Sequence, residues 1–233
     1  MKFTPSLQKG QLFKRYKRFL ADVLLPDGTT VMVHCPNSGS MKGLVAPGNP
    51  VWISESPNQA RKLRHTLEII EVDGVKVGVN THNPNLLVRE ALEAGVLILP
   101  FRGEIRREVK YGANSRIDFL LEDLEGTPLY VEVKNVTLKE GSLALFPDSV
   151  TERGKKHLEE MMNVVKEGAR ALMVYVIQRS DCEGFSVAEE IDPKYAETLK
   201  KARAEGVEVC AYQCHVDERE IRVEKPIEIR ICE

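Results

Sequence analysis

No apolar run in this 233-residue chain approaches the roughly 20 residues that span a bilayer. The N-terminus, Met1-Lys2-Phe3-Thr4-Pro5-Ser6, lacks the apolar segment of a secretion signal. Both absences lead to the expectation of a cytoplasmic protein without a membrane partner. Cysteine is sparse and unpatterned: Cys35, Cys182, Cys210, Cys214 and Cys232 are odd in number and scattered, which favours reduced core thiols over a disulfide framework. Cys210-x3-Cys214-His215 has no second ligand pair to complete a zinc site, and its alternation reads as a strand. Internal repeats and low-complexity segments are also missing. So is an excess of positive charge: 33 Lys/Arg stand against 35 Asp/Glu, a net of −2, which argues against a uniformly basic nucleic-acid coat.

The charge that is present is unevenly placed. Residues 1–80 hold 11 Lys/Arg and 6 Asp/Glu, whereas residues 81–233 hold 22 and 29. Within the basic part, Lys9, Lys14, Arg15, Lys17 and Arg18 alternate with Phe13, Tyr16 and Phe19, and Arg61, Lys62, Arg64 and His65 form a second group. Cations interleaved with aromatics suit a surface that tracks phosphates and stacks bases. A solvated strand face is the alternative for either cluster alone. Two clusters in a basic domain beside an acidic one favour nucleic acid, with Lys14, Arg15, Tyr16, Lys17, Arg18, Arg61, Lys62 and Arg64 as candidate DNA contacts.

The first 80 residues read as all-β. Segments 19–25 and 30–35 flank Pro26-Asp27-Gly28, residues 51–54 form a short strand, and segments 67–72 and 75–79 flank Asp73-Gly74. About five short strands with turns this close predict a small OB-like barrel. The loop Cys35-Pro36-Asn37-Ser38-Gly39-Ser40-Met41 is either a backbone-donor anion site or a connection. Character changes at Asn80 to Pro84. A helix ending at Gly95 is followed by predicted strands over 104–110, 115–122 and 129–136, and a short extension over 143–146. A helix over 151–167, a strand over 171–177, a helix over 192–205, a strand over 207–213 and an edge strand over 226–231 complete the chain. The expectation is an α+β protein of two domains, a barrel over 1–80 and an α/β domain with a mixed central sheet over 81–233. Oligomeric state is left open, a homo-oligomer included.

Chemistry concentrates in two adjoining strands. Glu132 and Lys134 are two apart and share a face. The segment Leu124 to Pro128 reads as a hairpin turn. A turn centred on Gly126 sets Asp118 opposite Lys134, with Glu132 diagonal to it on the same face. Two carboxylates and a lysine on a half-buried sheet face can hold a hard divalent cation beside a water, or can form a buried salt bridge. Glu90, on the preceding helix, either completes the acidic cluster or lies on a solvated helix face. Arg153 and His157, four apart on the helix after the Glu-x-Lys strand, share a face that can contact phosphate.

These residues also carry a resemblance. Asp118 followed by Glu132-x-Lys134 resembles the PD-(D/E)xK nuclease core. The longer strings Gly112-Ala113-Asn114-Ser115-Arg116-Ile117-Asp118-Phe119, Tyr130-Val131-Glu132-Val133-Lys134-Asn135-Val136-Thr137-Leu138 and Phe146-Pro147-Asp148-Ser149-Val150-Thr151-Glu152-Arg153-Gly154 are similar to the sugar fermentation stimulation protein A family. Lys14-Arg15-Tyr16-Lys17-Arg18-Phe19 and His34-Cys35-Pro36-Asn37-Ser38-Gly39-Ser40-Met41 extend that similarity across nearly the whole chain. One departure is Ile117, where the nuclease motif has proline.

The resemblance implies Mg²⁺ or Mn²⁺ on Asp118, Glu132 and the Val133 carbonyl, with Glu90 as a possible fourth ligand. Lys134 is then the group that orients and helps deprotonate water. Three functions follow from residues and resemblance together: sequence-nonspecific DNA binding with a regulatory role in sugar use, metal-dependent DNA cleavage, or action on a small phosphorylated or sugar substrate.

Overall fold

A computed structural model describes residues 1–112 and 115–231; Ala113, Asn114, Cys232 and Glu233 lie outside the described residues. The chain enters the barrel through β1 (Gln8–Tyr16), β2 (Leu20–Leu24) and β3 (Thr30–His34), and continues with β4 (Pro50–Glu55), β5 (His65–Val72) and β6 (Val75–Gly78). Alternation sends Leu12, Ala21, Val23, Val33, Val51, Ile53 and Leu67 inward, all at most 1% exposed. A parallel pairing of β3 with β5, Val33 against His65, closes five of the strands into a barrel, and β6 extends from β5. Closure pairs the strands that an open sheet would leave as edges. Six strands are present where the sequence reads five, because β1 is masked by its run of cations.

The second domain begins with α1 (Asn83–Glu93), which carries Pro84 in its first turn. Then come β7 (Arg102–Tyr111), β8 (Ser115–Glu122), β9 (Pro128–Val136), β10 (Leu138–Glu140), β11 (Leu143–Phe146) and α2 (Glu152–Lys166). The chain ends with β12 (Arg170–Ile177), β13 (Gly184–Val187), α3 (Pro193–Ala204), β14 (Glu208–Val216), β15 (Ile221–Pro226) and β16 (Glu228–Ile229). The main sheet runs β15-β14-β12-β9-β8-β7, parallel at its centre and antiparallel on both flanks. Its central strand β12 is buried on both faces and reads accordingly as an uninterrupted apolar run. One face packs on α1, the other on α2 and α3.

Three expectations are corrected here. The edge strand foreseen over 226–231 is instead the end of β15 followed by a two-residue β16, which pairs with β13 in a separate small sheet. The strands β10, β13 and β15 escape sequence reading because they are short or carry mixed polarity. The hairpin register is the third. Leu120 pairs with Tyr130 and Glu122 with Pro128, so the ladder runs two residues away from a turn centred on Gly126. The Asp123 carboxylate accepts the amides of Glu125 and Thr127, and Asp123 N–H donates to the Thr127 carbonyl. That closes a loop of residues 123–127 with Gly126 at φ +91°, where glycine is favoured. Continuing the register brings Asp118 toward Glu132 rather than Lys134. A shift of two leaves parity, and hence the face, unchanged.

The two domains share structure. Trp52 of β4 and Ile69 of β5 belong to the same buried cluster as Leu87 and Val88 of α1 and Val174 of β12. The fully buried Gln178 accepts Gly78 N–H at its main-chain oxygen and donates through Nε2 to Asn135 Oδ1. Residues 1–7 run along the second domain before β1: Lys2 pairs with Glu220, and Met1, Phe3 and Leu7 pack on the same cluster. Among the described residues no helix is long and apolar enough to cross a membrane.

Trp52 is the chain's one tryptophan and is 6% exposed. Replacing it with alanine empties the contact between barrel and sheet, and a loss of about 3–5 kcal/mol is expected. Urea unfolding followed by far-UV circular dichroism, which does not depend on the lost fluorophore, measures the drop. A midpoint equal to wild type would show that the domains do not rely on this contact.

Candidate functional site

Glu132 lies on β9 between β8 and β12, on the α2 face, and its side chain is 4% exposed. Lys134 Nζ donates to Glu132 Oε1 at 2.7 Å, and His157 Nδ1 of α2 contacts the same oxygen. Glu132 Oε2 is buried and has no hydrogen-bond partner. Burial, the largest influence on Glu132, works to raise its pKa, but Lys134 and His157 outweigh it and hold the carboxyl below its usual value.

Asp118 sits where β8 and β9 separate. The paired ladder ends at Phe119 and Val131, and the Asp118 carboxylate takes over the pairing role: Oδ2 accepts Val133 N–H at 2.8 Å, and Oδ1 accepts Asn85 Nδ2 of α1 at 2.7 Å. Ile117 and Leu120 reach the same core cluster although strict alternation would separate them. Burial, then the charge of Glu132, pushes the Asp118 carboxyl up to about 6. Two carboxylates whose pKa values are driven apart are a signature of a working site.

Nearby, burial and then the charge of Glu132 raise the Tyr111 phenol, whose hydroxyl has no partner. No three His, Cys, Asp or Glu side chains form a metal-holding group among the described residues. A cation here would therefore draw on Asp118, Glu132, main-chain oxygen and water. The orphaned Glu132 Oε2 fits such a group: a buried anionic oxygen lacking a donor is what a hard cation satisfies.

The other candidates divide. Glu90 is drawn away from the cluster, because its carboxylate binds the Met1 ammonium, which also donates to the Ile221 carbonyl at 2.8 Å. Asn85, one turn earlier on α1, reaches Asp118 instead. His157 is buried and engaged with Glu132, so it acts within the site rather than as an outward phosphate contact, while Arg153 Nε lies 3.3 Å from His157 Nε2. Arg15 is committed to the fold: its guanidinium donates to the carbonyls of Asn37, Gly39 and Ser40 at 2.8–3.2 Å and so shapes the 36–41 loop.

Lys14 lies 3.5 Å from Asp22, which also accepts Tyr16 Oη. Lys17 and Arg18 occupy the β1–β2 turn in left-handed conformation and are exposed. Arg61 contacts His34 at the end of β3, Arg64 pairs with Glu55, and Lys62 is exposed. Phe13, Phe19 and Met32, each about half exposed, lie among these cations. Arg116, two residues before Asp118, and Lys156, beside His157, line a cleft of about 390 Å³ next to the site. Sequence spacing alone could have found both. Asn85 left no such signal. Burial pushes the thiols of Cys210 and Cys214, both on β14, up to about 12.

A carboxyl raised to about 6 makes metal-free stability depend on pH. The folded state binds this proton more tightly than the unfolded chain, so the group destabilises the fold above pH 6 and relieves that strain as pH falls toward 4. Between pH 8 and 4.5 the relief is worth about 2 kcal/mol. Urea unfolding in EDTA at the two pH values should show that dependence reduced in Asp118→Asn. An identical pH dependence in the variant would place the raised pKa elsewhere.

Comparison with known proteins agrees with this architecture. Residues 82–220 match the model of the sugar fermentation stimulation protein RE domain, and residues 13–79 match that of the SfsA N-terminal OB domain. A sugar fermentation stimulation protein homolog of Geobacter metallireducens is 55% identical, covering 96% of this chain and 97% of that protein. One from Rhodospirillum centenum is 52% identical over 98% and 99%. A solved structure of Pyrococcus furiosus SfsA in complex with Ca²⁺ superimposes with a TM-score of 0.90 at 27% identity, covering 99% of this chain and 98% of that one. The chain belongs to the sugar fermentation stimulation protein (SfsA) family.

Proposed function

We propose that this protein binds DNA without strong sequence preference and carries a divalent-metal site, built on Asp118, Glu132 and Lys134, for hydrolysis of phosphodiester bonds. The observation that carries the reading is Glu132: buried, held ionised by Lys134 and His157, and left with one oxygen unpartnered. A salt bridge serving stability alone would use both oxygens, because an unsatisfied buried charge is costly. The Pyrococcus furiosus relative was solved in complex with Ca²⁺, which supports the binding of a hard cation.

Asp118, Glu132 and the Val133 carbonyl are the groups to hold Mg²⁺ or Mn²⁺. Such a cation supplies charge neutralisation on the phosphodiester and acidification of water. The chain's own residues do the rest. Lys134 Nζ donates to Glu132 at 2.7 Å and offers positive charge to the reacting phosphate. His157 and Asn85 fix the orientations of Glu132 and Asp118. Arg153, Arg116 and Lys156 supply cations along the adjoining cleft, and Lys14, Lys17, Arg18 and Lys62 extend that field over the barrel. A regulatory role in sugar use, named in the relatives, is compatible with DNA binding and would act through it.

Cleavage of supercoiled plasmid in Mg²⁺ or Mn²⁺ is expected from wild type and is lost in Glu132→Gln and Lys134→Met, each by about 10²-fold or more, with DNA retention unchanged. Equal residual cleavage in both purified variants would assign the activity to a contaminant and leave a DNA-binding regulator. Retention itself should weaken with salt. Replacing Lys14, Lys17, Arg18 and Lys62 together with alanine should reduce the slope by about one per lost phosphate contact. An unchanged slope would move the DNA surface off the barrel.

A further inference from the structure

We propose that the cleft between the barrel and the second domain is a pocket for one unpaired nucleotide, so that the DNA reaching the carboxylate site is single-stranded or locally unpaired. The inference rests on the DNA reading above and names the form of DNA involved. The cleft lies between the barrel loop at 37–39 and the 146–151 segment after β11, with the end of β9 and the start of α2 as further walls. Its volume is about 410 Å³, in the range of sites that enclose a small molecule. A duplex, whose major groove alone is roughly 12 Å wide, does not fit such a space. A base with its sugar and phosphate does.

The lining has the chemistry of a nucleotide site. Arg18 and Arg153 enter it from opposite domains, so a phosphate held between them would touch both. Arg18 is exposed at φ +62° in a tight turn. The one acid in the lining, Asp148, is committed to joining the domains. Its Oδ2 accepts Met41 N–H at 2.9 Å, its main-chain oxygen accepts Ser40 Oγ, and its carboxylate occupies the space a Cβ on Gly39 would need. Leu145 and Phe146 give an apolar wall for a base. Asn135 gives its side-chain oxygen to Gln178, which leaves its NH₂ for a base edge.

The path out of this pocket leads to the chemistry. Arg153 lines both this cleft and the one containing Arg116, Lys156 and His157, and His157 touches Glu132. A strand with one base in the pocket therefore carries its next phosphates past the carboxylates. The pocket is also preformed: Arg15 clamps the loop on the barrel side through its carbonyls, and Gln178 ties the barrel to β9.

The test is binding in EDTA, which prevents turnover, using a 2-aminopurine-labelled single strand and a blunt duplex of the same sequence. Wild type should bind the single strand about tenfold more tightly. Val150→Trp and Ser38→Trp fill the pocket from opposite walls at exposed positions. Each should lower single-strand affinity about tenfold, leave duplex affinity unchanged and keep the wild-type melting temperature. If one variant fails to fold, the other carries the test. Wild-type single-strand affinity in a folded variant, or a duplex preference in wild type, overturns the pocket while leaving DNA binding standing. Wild type retaining neither DNA overturns the DNA reading itself. Displacement of the labelled strand by glucose 6-phosphate but not by thymidine 5′-monophosphate would give the cleft to a small phosphorylated sugar and overturn the proposal.

Discussion

The burial of the Glu132 carboxylate is the constraint on which the rest of the second domain turns. A charge in this position is tolerated only with partners, and effective penalties for an unpaired buried ion reach several kcal/mol. Lys134 can reach it because β9 is regular there and sets the two side chains on one face. His157 can reach it because α2 starts at a fixed point: Thr151 caps the helix through Gly154 N–H, and Thr151 N–H is itself held by Asp192, the cap of α3. Both helix starts are thus locked to each other, and the imidazole arrives at Glu132 already oriented. What this arrangement does not satisfy is Oε2, which stays buried without a hydrogen-bond partner.

The second dependence runs between domains. Trp52, Gln178 and Asp148 join barrel and sheet by an apolar contact, a buried amide and a carboxylate, three unlike interactions at different points. Bodies joined in this way have little freedom to slide, since each contact tolerates a different displacement. The spacing between the barrel loop and the carboxylate site is consequently part of the fold.

Much of this was legible in the sequence, and the reasons differ from place to place. β12 and the two long helices announced themselves through uninterrupted apolarity or clear caps. Asp118, Glu132 and Lys134 were grouped by parity in the sequence, and a two-residue register shift does not change parity. The shift arose because Asp123, not Gly126 alone, organises the turn, and an aspartate acting on main-chain amides leaves little mark in a hydropathy pattern. Glu90 and Asn85 show the limit more sharply. Both lie on α1, but which one faces Asp118 depends on how that helix is laid across the sheet, and the Met1 ammonium that captures Glu90 comes from the far end of the sequence.

Charge counting had a different blind spot. Arg15 and Lys14 are neighbours in the sequence and equal in any count, yet one binds four main-chain carbonyls, those of Arg18, Asn37, Gly39 and Ser40, and the other is exposed beside Asp22. Arginine offers five donors in a planar fork, and a loop with several carbonyls turned inward is well matched to it. Such a residue keeps its charge, but its donors are occupied and its position is fixed by the protein. Lys17, Arg18 and Lys62 are exposed, and Arg18 lines the cleft with residues 37–39 of the loop that Arg15 shapes. The basic cluster therefore has two layers: one arginine builds the wall, and the remaining cations stay exposed.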